Sequence, residues 1–155
     1  MKNPGIITDG ARAFGRQCVV LGMDVLRVGE SSTTPSGYEV VINGGRTRTG
    51  LDAVQWAKKA EDLGAGEICL NAIDTDGVRQ GYELTITRMI SDAVGIPVIA
   101  SGGAGEPHHL VDAVTKGGAD AALIASMVHT GAWTVCAIKE SMAKAGVPVR
   151  LDSRY

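Results

Sequence analysis

Aromatic residues make up only 4% of this 155-residue sequence, although hydrophobic residues as a whole reach 45%. The core must therefore be aliphatic, and the length corresponds to about one domain. The formal net charge is −2, so a nucleic-acid-binding or anionic-membrane surface has no basic excess to support it. No apolar stretch approaches the roughly 18 residues that span a bilayer. The start MKNPGIITDG also lacks the apolar segment of a signal peptide, which predicts a cytoplasmic protein.

Cysteine is scarce, and neither cysteine nor histidine occurs at a spacing typical of a metal site. The three cysteines are odd in number, widely spaced and without a CxxC pair. A disulfide framework is therefore not expected, and Cys18 and Cys69, which lie in apolar runs, are predicted to be buried free thiols. The histidines are expected to be solvent-exposed or capping residues, with no metal bound: they are His108, His109 and His129.

Glycine is abundant, at 21 residues, and it separates apolar runs from segments with a helical period. Four runs are apolar along their length, which is typical of parallel strands covered by helices. These runs are residues 18–23, 68–73, 96–100 and 121–125. Helical periods and end signals predict helices at residues 4–14, 51–63, 84–94, 110–115 and 135–145. Asn3 is expected to cap the first helix, with Pro4 as its first residue, and residues 38–42 are predicted to form a short extra strand.

This order of elements predicts an α/β chain of four βα units, which is half of a (β/α)8 barrel. A Gly-Ala pair joins a helix end to a strand twice, at residues 64–65 and 118–119, and favours a barrel over the competing open, flavodoxin-like sheet. Four parallel strands alone would expose an apolar face and two unpaired edges, whereas eight strands close the barrel. We therefore expect self-association into a dimer or a higher oligomer, or pairing with another chain.

Polar residues and glycines follow the predicted strands, at the ends where barrel enzymes build their sites. They include Asp24, Asn71, Asp74, Asp76, Gly77, His129 and residues 101–105. Glycines allow backbone N–H groups to approach phosphate oxygens, and barrels often hold a phosphate after their last two strands. A phosphate site is therefore predicted at Gly102, Gly103, Ala125 and Ser126. Each residue alone is equally compatible with a cap or a turn. A bulky residue at Gly103 is expected to abolish phosphate binding and to leave the fold intact.

The carboxylates are candidates for acid–base chemistry. Asp24 follows an apolar run, and a carboxylate at a strand end can transfer protons to a substrate. Its structural alternative is a helix or loop cap. Asp74 and Asp76 are compatible with an Asx-turn, and an EF-hand is excluded because its ligand spacing does not follow.

Several motifs together resemble imidazole glycerol phosphate synthase, in the C-terminal half of its cyclase subunit from histidine biosynthesis. They are GMDVLR, GGRTRTG, LGAGEICLNAIDTDGVRQGYE, PVIASGGAG, ADAALIASMVH and GVPVRL. The resemblance covers residues 3–151 as a single half-barrel domain and leaves residues 152–155 as a tail. A sister isomerase of the pathway shares the half-barrel ancestry and the DG and GG motifs, but GAGEI, IDTDG and GYE favour the cyclase.

The resemblance implies a lyase that uses ammonia to close an imidazole ring and to cleave a phosphoribulosyl nucleotide, without a cofactor. It implies that Asp24 is the catalytic acid or base. It also implies that Glu67 lies at the entrance of an ammonia passage, on the face that docks a glutaminase subunit. The implied clamp for a substrate phosphate consists of Asp76, Gly77, Gly103, Ala125 and Ser126.

The sequence also departs from the family. It has no counterpart of the N-terminal half, with its own catalytic Asp and phosphate loop, and Leu26 stands where the family usually has Lys. We therefore expect weak or no activity without that half. The alternative is a self-assembling, phosphate-binding half-barrel without turnover.

Overall fold

Six strands and six helices lie within residues 3–151, the part of the chain that our computed structural model describes. The strands are β1 (Val20–Arg27), β2 (Tyr38–Ile42), β3 (Thr47–Asp52), β4 (Glu67–Ala72), β5 (Val98–Ser101) and β6 (Ala121–Ala122). The helices are α1 (Gly5–Phe14), α2 (Ala53–Leu63), α3 (Leu84–Ser91), α4 (Pro107–Thr115), α5 (Ser126–His129) and α6 (Val135–Lys144), and a 3-10 turn spans Arg16–Cys18. Residues 152–155, the predicted tail, lie outside the described residues.

The described residues form one six-stranded, mostly parallel sheet with the strand order β3-β2-β1-β4-β5-β6. The strands β1, β4, β5 and β6 are parallel neighbours in chain order, and the β2–β3 hairpin adds antiparallel strands beside β1. A flavodoxin-like sheet reverses the order of its parallel strands at a switch point, whereas here the parallel strands β1, β4, β5 and β6 follow one another without a reversal. The strands on the other side of β1 belong to the antiparallel hairpin. The α/β prediction of four consecutive βα units is therefore confirmed, as is the extra strand β2.

Two strand predictions were wrong in extent. Strand β3 was missed, and its last residues, Leu51 and Asp52, were assigned to the following helix. Asp52 instead pairs with Glu39 of β2, and its carboxylate accepts the Gln55 N–H at 3.0 Å as the N-cap of α2. Strand β6 ends after two residues, because the chain then turns into the short helix α5.

The start of α1 and the burial of the cysteines also differ from prediction. Pro4 occupies the N-cap position of α1 and Gly5 is its first residue, while Asn3 makes no side-chain capping bond. All three cysteines are free thiols, but Cys18 is exposed in the 3-10 turn and only Cys69 is partly buried. Cys18 was predicted to be buried because it adjoins an apolar run, yet β1 begins two residues later.

One face of the sheet packs against the helices. Alternate strand residues, such as Met23, Leu70 and Ala100, are buried there with apolar helix residues, such as Ile86 and Leu110. This burial is the main stabilising contribution to the fold, since each fully buried aliphatic side chain contributes roughly 1.5–3 kcal/mol. None of the helices within residues 3–151 is long and apolar enough to cross a membrane.

On the opposite face, which we call the open face, the intervening side chains of the strands form two central rows, with Glu67 below them and Leu26 above them. Strand register places Gly22, Cys69, Ile99 and Ala121 in the lower row. Asp24, Asn71 and Ser101 form the upper row, nearest the carboxyl ends of the strands. The open face is therefore apolar in its lower row, as expected, but polar where the candidate site lies.

Candidate functional site

A cleft of about 120 Å³ opens at the carboxyl ends of β5 and β6. Its lining combines the loop after β4, the Gly-rich loop after β5 and the segment that leads into α5. The lining residues are Asp76, Gly77, Ser101, Gly102, Gly103, Ala104, Leu123, Ile124, Ala125 and Ser126. All six residues predicted for the phosphate site thus meet in one cleft.

Glycine is required at both central positions of the cleft. Gly102 and Gly103 have φ angles of +85° and +108°, a region that side chains with a Cβ rarely adopt. A Cβ on Gly102 would lie 2.7 Å from Asn71 Oδ1, and a Cβ on Gly103 would overlap the Gly81 carbonyl oxygen. The expectation that a bulky residue at Gly103 leaves the fold intact is therefore wrong, because the backbone of residue 81 occupies that space.

The cleft offers unused backbone donors. Within residues 3–151, the N–H groups of Gly77, Gly103 and Ser126 donate no hydrogen bond to the protein. Backbone N–H groups without a partner bind water or a ligand, and several of them converging on one cleft suit an anion. The Asp76 carboxylate on the same wall repels an anion, so the backbone at Gly77, not the Asp76 side chain, is the group suited to hold one.

Two side chains that the sequence analysis did not single out fix the walls of the cleft. The buried Tyr82 hydroxyl donates to the Leu123 carbonyl oxygen at 2.9 Å, and burial raises the pKa of Tyr82, so its phenol stays protonated. The Thr75 hydroxyl lies 3.2 Å from the carbonyl oxygens of both Ala72 and Gly102. Tyr82 lies in the GYE motif, which was noted only as part of the resemblance.

Asp24 does not line the cleft but is connected to it through one residue, Asn71. Its Oδ1 accepts a hydrogen bond from Asn71 Nδ2 at 3.1 Å, and Asn71 Oδ1 in turn packs against Gly102. Burial and the neighbouring Asp24 carboxylate raise the pKa of the Cys69 thiol. Asn71 is therefore the link between the candidate acid or base and the Gly-rich loop, a role that the sequence analysis did not give it.

The position of Asp24 in β1 differs from the expected strand end. The strand continues to Arg27 because these last residues pair with β2, but the parallel pairing with β4 stops one residue after Asp24. Asp24 is thus at the carboxyl edge of the parallel sheet although inside its strand. Its carboxylate accepts no backbone N–H within the described residues, so the alternative of a structural cap is wrong.

Two of the other candidate carboxylates, Asp74 and Glu67, lie outside the cleft lining. Asp74 accepts the Arg27 N–H at 2.7 Å and so joins the loop after β4 to the end of β1. Glu67 is the first residue of β4 and lies at the opposite, amino-terminal edge of the sheet. At about 3.3 Å per residue, the four positions between Glu67 and Asn71 span roughly 13 Å. The structure therefore places Glu67 far from Asp24, on the edge away from the cleft.

Leu26 lies on the open face, two residues beyond Asp24. Its partner on β2 is Glu39, a buried carboxylate that accepts hydrogen bonds from the Arg48 guanidinium and the Gly50 N–H. The bond from Arg48 lowers the pKa of Glu39 to about 2, so this carboxylate is ionised and paired at neutral pH. The charges of Glu39 and Arg48 thus compensate each other within the hairpin.

The histidines take the exposed and capping roles that were expected. His109 caps α4 through its side chain, while His108 and His129 are exposed. Across residues 3–151, no group of three or more histidine, cysteine, aspartate or glutamate side chains could hold a metal ion.

Helices on one face of a parallel sheet, with a Gly-rich cleft at the carboxyl ends of the strands, define the chain as a βα-barrel type of protein. The chain belongs to the family of histidine biosynthesis proteins, whose sequence model matches residues 1–134.

Named relatives agree with this family. The chain is 65% identical over 150 residues to the imidazole glycerol phosphate synthase subunit HisF of Desulforapulum autotrophicum, which covers 97% of this chain and 58% of the relative. It is 64% identical to the HisF subunit of Desulfosudis oleivorans and 60% identical to that of Nitratidesulfovibrio vulgaris, with the same coverage. The chain thus spans 58% of the length of these relatives, in agreement with the predicted half-barrel.

Proposed function

We propose that this chain supplies half of the cyclase subunit of imidazole glycerol phosphate synthase, a lyase of histidine biosynthesis. The observation that carries the proposal is one cleft that collects all six predicted phosphate-site residues, with Asp24 linked to it through Asn71. Its 60–65% identity to subunits of that name supports the assignment. The role implies a cytoplasmic enzyme.

In this proposal the cleft binds the substrate and Asp24 transfers the proton. The N–H groups of Gly77, Gly103 and Ser126 hold one phosphate of a phosphoribulosyl nucleotide, which fixes the substrate at the carboxyl edge of the sheet. Asp24 transfers a proton as the imidazole ring closes around the nitrogen of ammonia. The Asn71 side chain donates a hydrogen bond to the Asp24 carboxylate and so holds the carboxylate towards the bound substrate. Because the chain supplies a single carboxylate in this position, the second one must come from a complementary half.

The proposal includes a source of ammonia. Glu67 on the amino-terminal edge is assigned to the entrance of an ammonia passage, where a glutaminase subunit docks. Its partly buried position on the open face supports this assignment, because Glu67, Cys69 and Asn71 follow one another along that face of β4 and Asn71 bonds to Asp24.

The anion site can be tested by adding a negative charge to it. Ser126→Asp places a carboxylate beside the free N–H groups of the cleft, and we expect it to weaken binding of inorganic phosphate at least about tenfold. Isothermal titration calorimetry at 150 mM salt measures the change. Ser32→Asp is the matched control, since it adds the same charge at an exposed loop residue outside the cleft lining. If the two variants bound phosphate with equal affinity, the cleft would not be the phosphate site.

Self-association is the second part of the proposal. On the outer side of β1, residues 20–23 have no strand partner within the described chain, and β6 has none on its outer side. Beside this edge, Ile6 and Phe14 of α1 are 68% and 73% exposed. Unpaired strand edges and exposed apolar side chains favour association. A second copy of the chain has the same edges and apolar side chains, so two copies can cover them mutually.

We therefore expect a dimer or a higher oligomer at micromolar concentration. Multi-angle light scattering is the measurement, with Phe14→Lys as the variant that should shift the distribution towards monomer because it places a charge on the apolar face of α1. A wild-type protein that is folded and monodisperse at 16.1 kDa would contradict this part of the proposal.

A second candidate function is a self-assembling phosphate-binding scaffold without turnover. It is favoured by a cleft that is complete within residues 3–151, whereas only one candidate catalytic carboxylate, Asp24, adjoins it. Turnover of the nucleotide substrate with ammonium as nitrogen source distinguishes the two functions. Activity of the oligomer or of a complex with a complementary N-terminal half supports the cyclase, and phosphate binding without any turnover supports the scaffold.

A further inference from the structure

The Gly-rich loop at residues 102–105 is held from outside the cleft by His109, the third residue of α4. His109 Nδ1 accepts hydrogen bonds from the N–H groups of Gly105 at 3.1 Å and Glu106 at 3.2 Å. An imidazole nitrogen accepts a hydrogen bond only when it carries no proton. The observed contacts therefore require a neutral ring with its hydrogen on Nε2.

His109 also contacts the segment that follows Asp76 and Gly77, which form another wall of the cleft. Its ring lies against Gly81, where a Cβ would be 3.4 Å from the ring carbon Cδ2. The Gly81 N–H donates to the Gly103 carbonyl oxygen at 2.9 Å, and the Arg79 carbonyl oxygen occupies the space that a Cβ on Gly105 would need. One side chain thus contacts the Gly-rich loop and the segment that follows Gly77, which are two of the three backbone segments beside the cleft.

We infer that neutral His109 is a positioning residue for the anion cleft, and that protonation of its ring releases the Gly-rich loop. The inference rests on the proposed anion site. His109 is not in the cleft lining, so it acts through the backbone that it holds. When Nδ1 gains a proton, the N–H groups of Gly105 and Glu106 lose their acceptor and face a positive charge. The loop that presents the Gly103 N–H is then no longer fixed.

The surroundings of His109 determine the direction of the pH effect. Burial lowers the pKa of His109 below its ordinary value of 6.5, and His108 lowers it further, whereas Glu106 and Asp112 raise it. Across the adjoining cavity the titratable group is Tyr82, which stays neutral. The ring is therefore neutral at pH 8, and the bracing is lost as the pH falls through the lowered pKa of His109.

Inorganic sulfate is the appropriate probe, because it stays a dianion between pH 8 and pH 5 whereas phosphate titrates in that range. We expect the sulfate affinity of the wild-type chain to fall at least about fivefold between these pH values, which matches the loss of one or two backbone hydrogen bonds. General electrostatics predicts the opposite sign, since the protein becomes more positive at low pH. Calorimetric titration at constant ionic strength separates the two.

Three variants complete the test. His109→Gln retains an acceptor at the third helical position and cannot titrate, so we expect near-wild-type sulfate affinity at pH 8 and no loss at pH 5. His109→Ala should bind sulfate at least about fivefold more weakly already at pH 8. His108→Gln, at the exposed neighbour, should retain both the affinity and its loss at low pH. The inference is overturned if His109→Ala binds like the wild type, or if the wild type loses no affinity at low pH.

A second measurement is independent of the anion site. Amide hydrogen exchange at Gly105 and Glu106 should be faster in His109→Ala than in His109→Gln, because only the latter has a side-chain acceptor for these N–H groups. If the wild type binds no sulfate at pH 8 but this exchange difference is present, the proposed anion site fails and the bracing by His109 stands. Equal exchange in the two variants contradicts the bracing itself.

Discussion

Asp24→Asn should lower the proposed cyclase activity by at least about a hundredfold, because an amide cannot exchange protons as a catalytic carboxylate does. The assay mixes the full chain with the complementary N-terminal part of a relative, with ammonium as nitrogen source. Stability should change little, since Asp24 accepts one side-chain hydrogen bond, from Asn71, and no backbone N–H within the described residues. Thermal unfolding of the variant measures this.

Asp120→Asn is the matched control for that experiment. The Asp120 carboxylate accepts the Val98 N–H at 2.9 Å, at the amino-terminal end of β5 and away from the cleft. The same chemical change there keeps an oxygen acceptor for the Val98 N–H and removes only its negative charge, so it should cost less than about 1 kcal/mol of stability and leave activity unchanged. If Asp24→Asn behaved like Asp120→Asn, Asp24 would be a structural residue and the catalytic assignment would be wrong.

Gly103→Ala is expected to destabilise the chain by roughly 2–5 kcal/mol. About 1–2 kcal/mol comes from the positive φ angle, which a residue with a Cβ adopts at a cost, and the rest from overlap with the Gly81 carbonyl oxygen, comparable to overpacking of a core. Urea unfolding followed by circular dichroism measures the change in the free energy of unfolding.

Gly131→Ala isolates the contribution of the overlap. Gly131 also has a positive φ, +71°, but a Cβ there would meet no described atom within 4 Å. This control should therefore lose only about 1–2 kcal/mol. Equal losses in the two variants would show that residue 81 moves aside readily and that the cleft wall is not rigid.

The parallel strands were predictable because burial on the helix-covered face leaves a strong apolar signal in each run. The length of β6 and the existence of β3 were not. Strand β3 carries Arg48, Thr49 and Gly50 on an exposed hairpin, and no burial pattern marks such a segment. Its stability comes instead from contacts across the hairpin, namely the bonds of Arg48 and Gly50 to Glu39, which local sequence does not reveal.

The candidate site, too, could be predicted only in part from the sequence. Four residues of the cleft, namely Gly102, Gly103, Ala125 and Ser126, could be predicted because they follow apolar runs that mark the carboxyl ends of strands, whereas Asp76 and Gly77 were implied by the resemblance. The bracing by His109 and the link through Asn71 could not, because each depends on residues that meet only in three dimensions. His109 contacts Gly81, which lies 28 positions earlier in the chain, and Asn71 contacts Asp24 across 47 positions.

The β2–β3 hairpin determines which strand edges the sheet exposes. A long exposed strand edge is a template for unlimited strand addition and fibre growth. The hairpin makes β3 the outermost strand on one side of the sheet, and the two-residue β6 is outermost on the other. Strand β3 carries the exposed Arg48 and pairs with β2 in a register that is irregular between Glu39 and Val41. Charged side chains and irregular pairing in an edge strand disfavour the addition of a further strand, so the hairpin protects the sheet against edge-to-edge aggregation.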